Sequence, residues 1–126
     1  MRFLLLMIQN VDTAVEVPTV ATMAAMGKYA DRLARAGALL ALDGLHARSR
    51  GASITFRAGA SEVVDGARLD PSGAVGGYWL LQVKSKEEAV EWARRCPCGD
   101  GHTIEVRQVL ELSDFPPELQ AAAKNP

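Results

Sequence analysis

His46 and Asp65 are the pair of side chains in this sequence best suited to acid–base chemistry. An imidazole with one nitrogen held by a carboxylate has a fixed tautomer and a more basic second nitrogen, which is what a general base requires. His46 follows an apolar strand-like run and Asp65 ends another, so both fall at strand ends, where they can converge. Such a base contributes about 10²–10⁴-fold to rate, which supports proton abstraction or hydration only alongside a group that stabilises an oxyanion. Arg57, Arg48 and the backbone amides near Gly76-Gly77 are candidates for that role, and Arg48-Ser49-Arg50-Gly51 is suited to holding a small anion. The same residues have a plainer reading, in which His46 is a solvated loop residue and Asp65 caps an Asp-Gly turn.

Cys96, Cys98 and His102 form C-x-C-x₃-H, which lacks both a fourth neighbour and the usual cysteine spacing of a zinc site. No metal and no cofactor are expected; Cys96 reads as a core thiol and Cys98 as a loop thiol. Tyr78 and Trp79 are adjacent on one strand and point to opposite faces. One packs beneath the helices, and the other lines an interface or a pocket wall. The candidate ligand-binding set is therefore Arg48, Arg57, Gly76, Gly77 and Tyr78, with His46 and Asp65 as the candidate catalytic pair.

The elements that position these groups follow from patterning. Arg2 to Ile8 is a short continuous apolar run, which fits a strand covered on both faces. A helix is expected from about Pro18, with Met23, Met26, Ala30, Leu33 and Gly37 on its apolar stripe and Gly37 closing it. Ala38 to Leu42 is a second strand ending at Asp43-Gly44, a dipeptide suited to positive φ. Ser53–Arg57 and Glu62–Asp65 read as a hairpin joined through Ala58-Gly59-Ala60-Ser61, and 66–77 as a long loop. Gly76 to Val83 gives the next strand. Ser85 and Glu88 then form a capping box for a helix with Ala89, Trp92, Ala93 and Cys96 on its buried stripe, stopped by Pro97. Thr103 to Leu110 is the last strand, and a peripheral tail follows a domain spanning 1–112.

The order is β-α-β, hairpin, β-α-β. No glycine-rich phosphate motif follows the first strand, so a dinucleotide-binding parallel sheet is disfavoured. A ferredoxin-like α+β sandwich remains, with both helices on one face of an antiparallel sheet. Two or three exposed Leu-sized groups on the other face forgo roughly 1.5–3 kcal/mol each. A second copy of the chain is the expected cover, giving a homodimer packed sheet to sheet.

Composition narrows the partners. Among 126 residues, 14 basic side chains against 15 acidic give a net charge of −1, so no global field draws the molecule to nucleic acid or anionic lipid. The apolar run near the start is too short for a signal-peptide core or a membrane span, and cysteines flanking one proline cannot staple distant segments. A cytoplasmic protein with reduced thiols is the expectation.

The opening Arg2-Phe3-Leu4-Leu5-Leu6, then Ala36-Gly37-Ala38-Leu39-Leu40, Asp43-Gly44-Leu45-His46, Val64-Asp65-Gly66, Gly76-Gly77-Tyr78-Trp79 and Ile104-Glu105-Val106-Arg107 together resemble the YCII-related family in its DGPF-domain branch. The resemblance implies a ferredoxin-like fold that dimerises into an α/β barrel. It also implies a histidine and an aspartate meeting in a cleft, and, for the DGPF branch, a link to transcription initiation through neighbouring or fused sigma factors. Asp65-Gly66 is kept here, but Ala67-Arg68 stands where the branch has proline and phenylalanine. Two functions follow as expectations: a homodimeric module binding a small polar or anionic ligand, or a cofactor-independent enzyme using His46 and Asp65.

Overall fold

The computed structural model describes residues 1–9, 18–66 and 74–126. The apolar amino-terminal run is β1 (Arg2–Gln9), and it lies inside a four-stranded sheet. Its neighbours are β5 (Ala74–Gln82) on one side and β6 (Thr103–Gln108) on the other, both antiparallel to it. The outer position beyond β5 is taken by β2 (Leu39–Gly44), so the order is β2-β5-β1-β6. A separate hairpin, β3 (Ala52–Arg57) with β4 (Ala60–Asp65), is inserted between β2 and β5. The helices are α1 (Val20–Arg35), α2 (Lys86–Arg94) and α3 (Pro117–Lys124). This is the ferredoxin-like arrangement read from the sequence.

Period-two alternation divides the sheet into two faces. Phe3 and Leu5 of β1, with Trp79 and Leu81 of β5, are buried against Tyr29 and Leu33 of α1 and Ala89 of α2. Trp92, Ala93 and Cys96 continue the α2 stripe as expected, whereas on α1 the buried position is Tyr29 and Met23 is exposed. The stripe is Met26, Tyr29, Leu33, and the first turn, with Val20 and Met23, is exposed. Tyr29 meets Trp79 edge to face with centroids 5.7 Å apart and donates its hydroxyl to the Trp92 carbonyl at 2.7 Å.

Local chemistry sets the ends of these elements. The Thr19 side chain accepts from Thr22 N–H, and the Ser85 side chain from Glu88 N–H. Glu88 reaches back one residue further than a capping box requires, accepting from Lys84 N–H at 2.9 Å. Gly37 ends α1 at φ +71, with Gly37 N–H on Ala34 O and Ala38 N–H on Leu33 O, the paired bonds of a Schellman motif. Among the described residues no helix is long and apolar enough to cross a membrane.

The hairpin turn is tighter than the sequence suggested: Ala60 and Ser61 join β4, leaving Ala58-Gly59 as the loop. Both have positive φ, 51° and 80°, as a type I′ turn demands to match strand twist. An alanine in that region is strained by roughly 1–2 kcal/mol, and asparagine tolerates it better. Ala58→Asn is expected to stabilise the hairpin by about 0.5–1 kcal/mol, read as slower amide exchange along β3 and β4.

The stretch 113–126, expected to be a peripheral tail, contains α3, which has no buried residue. Just before it, Glu111 grips Arg2 through two bonds of 2.7 and 3.0 Å, and Val109 N–H donates to Arg2 O. The guanidinium bonds hold the Glu111 carboxyl below its ordinary value. Folded Glu111 thus binds its proton less readily than unfolded Glu111. The stabilisation is present above the ordinary carboxylate range and is lost as pH falls through the lowered folded value. Melting curves of the wild type and Glu111→Gln should converge in acid and separate slightly toward neutral pH, the pair being on the surface.

Candidate functional site

Tyr78 and Asp43 meet on the sheet face opposite the helices. They are directly paired across β5 and β2, and the Tyr78 hydroxyl donates to the Asp43 carboxylate at 2.6 Å. That bond raises the Tyr78 pKa, because losing the phenolic proton would set an anion against the carboxylate. The pair is a fixed polar group at the rim of an apolar surface: alternation places Leu4, Leu6 and Ile8 of β1 with Val75 and Leu80 of β5 on this same face. Glu105 and Arg107 of β6, opposite Leu6 and Leu4, bound the far side.

Gly76 and Gly77 stand beside this pair because neighbouring chain approaches closely there. Between Met7 and Ile8 the register slips, leaving Gly76 as the extra residue of a bulge in β5. Its carbonyl accepts from Leu45 N–H at 2.9 Å. A Cβ on Gly76 would lie 2.6 Å from the Gln9 amide, and one on Gly77 3.0 Å from the Asp43 carbonyl oxygen. Gly76, Gly77 and Tyr78 are thereby gathered with Asp43, Gly44 and Leu45, at the root of the loop that carries His46.

Asp43-Gly44 differs from its expected role. Gly44 does not take positive φ; it continues β2 and pairs with Gly77. Reading the dipeptide as a turn concealed Asp43 as the partner of Tyr78. The usable signal was the spacing of two between Ala41 and Asp43, which puts both on one face of a strand that runs on through the dipeptide.

A second cluster forms around Asp65-Gly66. Gly66 takes φ +75 and donates its N–H to Gly51 O at 2.8 Å, and a Cβ there would touch the Ser49 backbone. The end of β4 thus rests on the 3₁₀ turn Arg48–Arg50, which follows His46 by one residue. His46 and Asp65 are both exposed, and no hydrogen bond joins them. Arg48 is half-buried in the 3₁₀ turn. Arg57 lies at the hairpin tip, paired with Ala60, five residues and roughly 17 Å of strand from the Asp65 end. Ala67 and Arg68, the departures from the branch motif, lie outside the described residues. The expected loop over 66–77 closes at Ala74, where β5 begins; residues 67–73 are also outside them.

An antiparallel β2-β5-β1-β6 sheet backed by two helices, with a hairpin inserted before its third long strand, defines a ferredoxin-like α+β domain whose sheet face away from the helices is apolar at the centre and polar at the rim. The chain belongs to the YCII-related domain family, whose model matches residues 1–113. No curated protein matches it.

Proposed function

We propose that this protein is a homodimeric small-ligand-binding module of the DGPF kind, in which two copies pack their free sheet faces together and a polar or anionic ligand occupies the cleft between them. The observation that carries this reading is the run Leu4, Leu6, Ile8, Val75 and Leu80 on the face away from the helices. Each such side chain gains about 1 kcal/mol when its remaining surface leaves water. The hairpin adds a second surface of the same kind. A lone two-stranded hairpin is marginal in water, and this one displays Ile54, Phe56 and Val63 on one face, with Phe56 80% exposed. A partner copy that meets both surfaces satisfies both. Tyr78-Asp43, Glu105 and Arg107 then line the cleft, with Arg48 and Arg57 as further cations for an anion. Sedimentation velocity over a range of concentrations tests the proposal: a dimer is expected, and a monomer at all concentrations overturns it.

Acid–base catalysis by His46 and Asp65 is the second reading, supported by the anchoring of Asp65-Gly66 on the turn that follows His46. If the two work together, Asp65→Asn shifts the His46 ring resonances in NMR spectra. Unmoved resonances remove the pair as a catalytic unit.

A further inference from the structure

Cys96 and Cys98 are the two cysteines of the chain, and Pro97 separates them. Residues two apart on an extended chain point the same way but stand too far apart for their sulfurs to meet; here the backbone bends. Cys98 N–H donates to Cys96 O at 2.8 Å, the i to i+2 closure of a γ-turn. Proline suits the centre of that turn, because its ring fixes φ close to the value of about −75° that the inverse form needs. The flanking residues are drawn together, and the two Sγ atoms lie 3.2 Å apart with both thiols free.

The two thiols are not equivalent. Cys96 ends the apolar stripe of α2 and packs against the core, whereas Cys98 begins the loop toward Gly99. The Cys96 S–H hydrogen bond lowers the pKa of Cys98 and leaves Cys96 the harder to ionise. Beside Pro97 opens a cleft of about 220 Å³ lined by Ala25, Lys28, Tyr29, Arg32, Arg95 and Pro97. Arg95 lies over the Trp92 ring at 5.1 Å and pairs with Glu91, so Lys28 and Arg32 dominate the cleft's charge. Tyr29 stays protonated there, its hydroxyl donated to Trp92 O.

We propose that Cys96-Pro97-Cys98 is a thiol–disulfide exchange site whose substrates are small anionic disulfides, drawn to it by the cationic cleft. The Cys98 thiol gives up its proton, and its sulfur attacks one sulfur of the substrate R–S–S–R. A Cys98–S–S–R bond forms and one thiolate leaves, to be protonated by solvent. Cys96 then loses its proton and attacks Cys98 Sγ. The mixed disulfide breaks, and the second R–S⁻ leaves and is protonated. Two protein thiols have become one disulfide, and one small disulfide has been reduced to two thiols. Excess R–SH drives the same steps backwards.

Intact mass and thiol counting after an acid quench test this on the reduced full chain treated with oxidised glutathione. The wild type is expected to finish two hydrogens lighter, with no bound glutathione and no chain-to-chain bond. Cys96→Ala should stop at a single glutathione adduct on Cys98. Cys98→Ser should react at least about tenfold more slowly, since the remaining thiol is packed against the core. Pro97→Gly should accumulate the mixed disulfide, because ring closure loses its turn. A stable adduct or a cross-linked chain from the wild type overturns the proposal, as do equal rates for the two cysteine variants. Cystamine, a cationic disulfide, should react more slowly than oxidised glutathione relative to a free Cys-Pro-Cys peptide; an equal or faster reaction overturns the role of the cleft.

Discussion

Leu6→Lys is expected to yield a folded monomer. Leu6 lies in the middle of β1, pairs with Tyr78 on one side and Glu105 on the other, and points away from the helices. A lysine there costs the isolated domain little, because its ammonium reaches water and Glu105 is across the strand. Between two packed sheets the same ammonium loses water that Glu105 alone does not replace, and the symmetry of an isologous interface places two such lysines in each dimer. A penalty of about 3 kcal/mol is roughly a 100-fold weaker association. Sedimentation velocity should therefore show the variant as a monomer where the wild type is a dimer, with its far-UV circular dichroism unchanged. Leu5→Ala is the contrasting change. Leu5 is 0% exposed and faces α1, so truncation should cost about 2–5 kcal/mol of folding stability through the cavity it leaves. A Leu6→Lys chain that remains dimeric would remove the free face as the interface.

What the sequence made legible is what one residue type or one local rule decides. The β1 run, the Gly37 stop, the Ser85 cap, the α2 stripe and the hairpin pairing each rest on such a rule, and each is found in place. What escaped depends on register between segments far apart in the chain. Tyr29 is buried and Met23 exposed on α1, and which turns of a helix meet the core is decided by its packing partners rather than by its own spacing. Asp43 finds Tyr78 only once β2 is set beside β5. The candidate chemistry was least legible. The types of His46, Asp65, Arg48 and Arg57 nominate them, but their placement depends on how the hairpin is anchored. The Gly66–Gly51 bond brings Asp65 to the 3₁₀ turn and leaves Arg57 at the distant tip.

Gly77→Val and Gly76→Ala should behave oppositely although the glycines are adjacent. Gly77 is buried on the helix-facing side, paired with Met7 and Gly44, and a Cβ there meets the backbone carbonyl of Asp43 at 3.0 Å. A backbone oxygen in a paired strand cannot rotate aside, so the branched side chain must push β2 away. Overpacking of this kind costs about 1–3 kcal/mol. Moving the Asp43 backbone also draws its carboxylate off the Tyr78 hydroxyl, and Tyr78, held up chiefly by that bond, should titrate closer to the ordinary tyrosine value. Absorbance titration reads this, with Tyr78→Phe identifying which of the two tyrosine transitions belongs to Tyr78. At Gly76 the obstacle is the Gln9 side-chain amide at 2.6 Å, the far end of a flexible side chain that can swing clear. Gly76→Ala should therefore change stability by no more than about 0.5 kcal/mol and leave the Tyr78 titration where it was. If both variants moved it equally, close approach of β2 at Gly77 would not be what sets the Tyr78-Asp43 geometry.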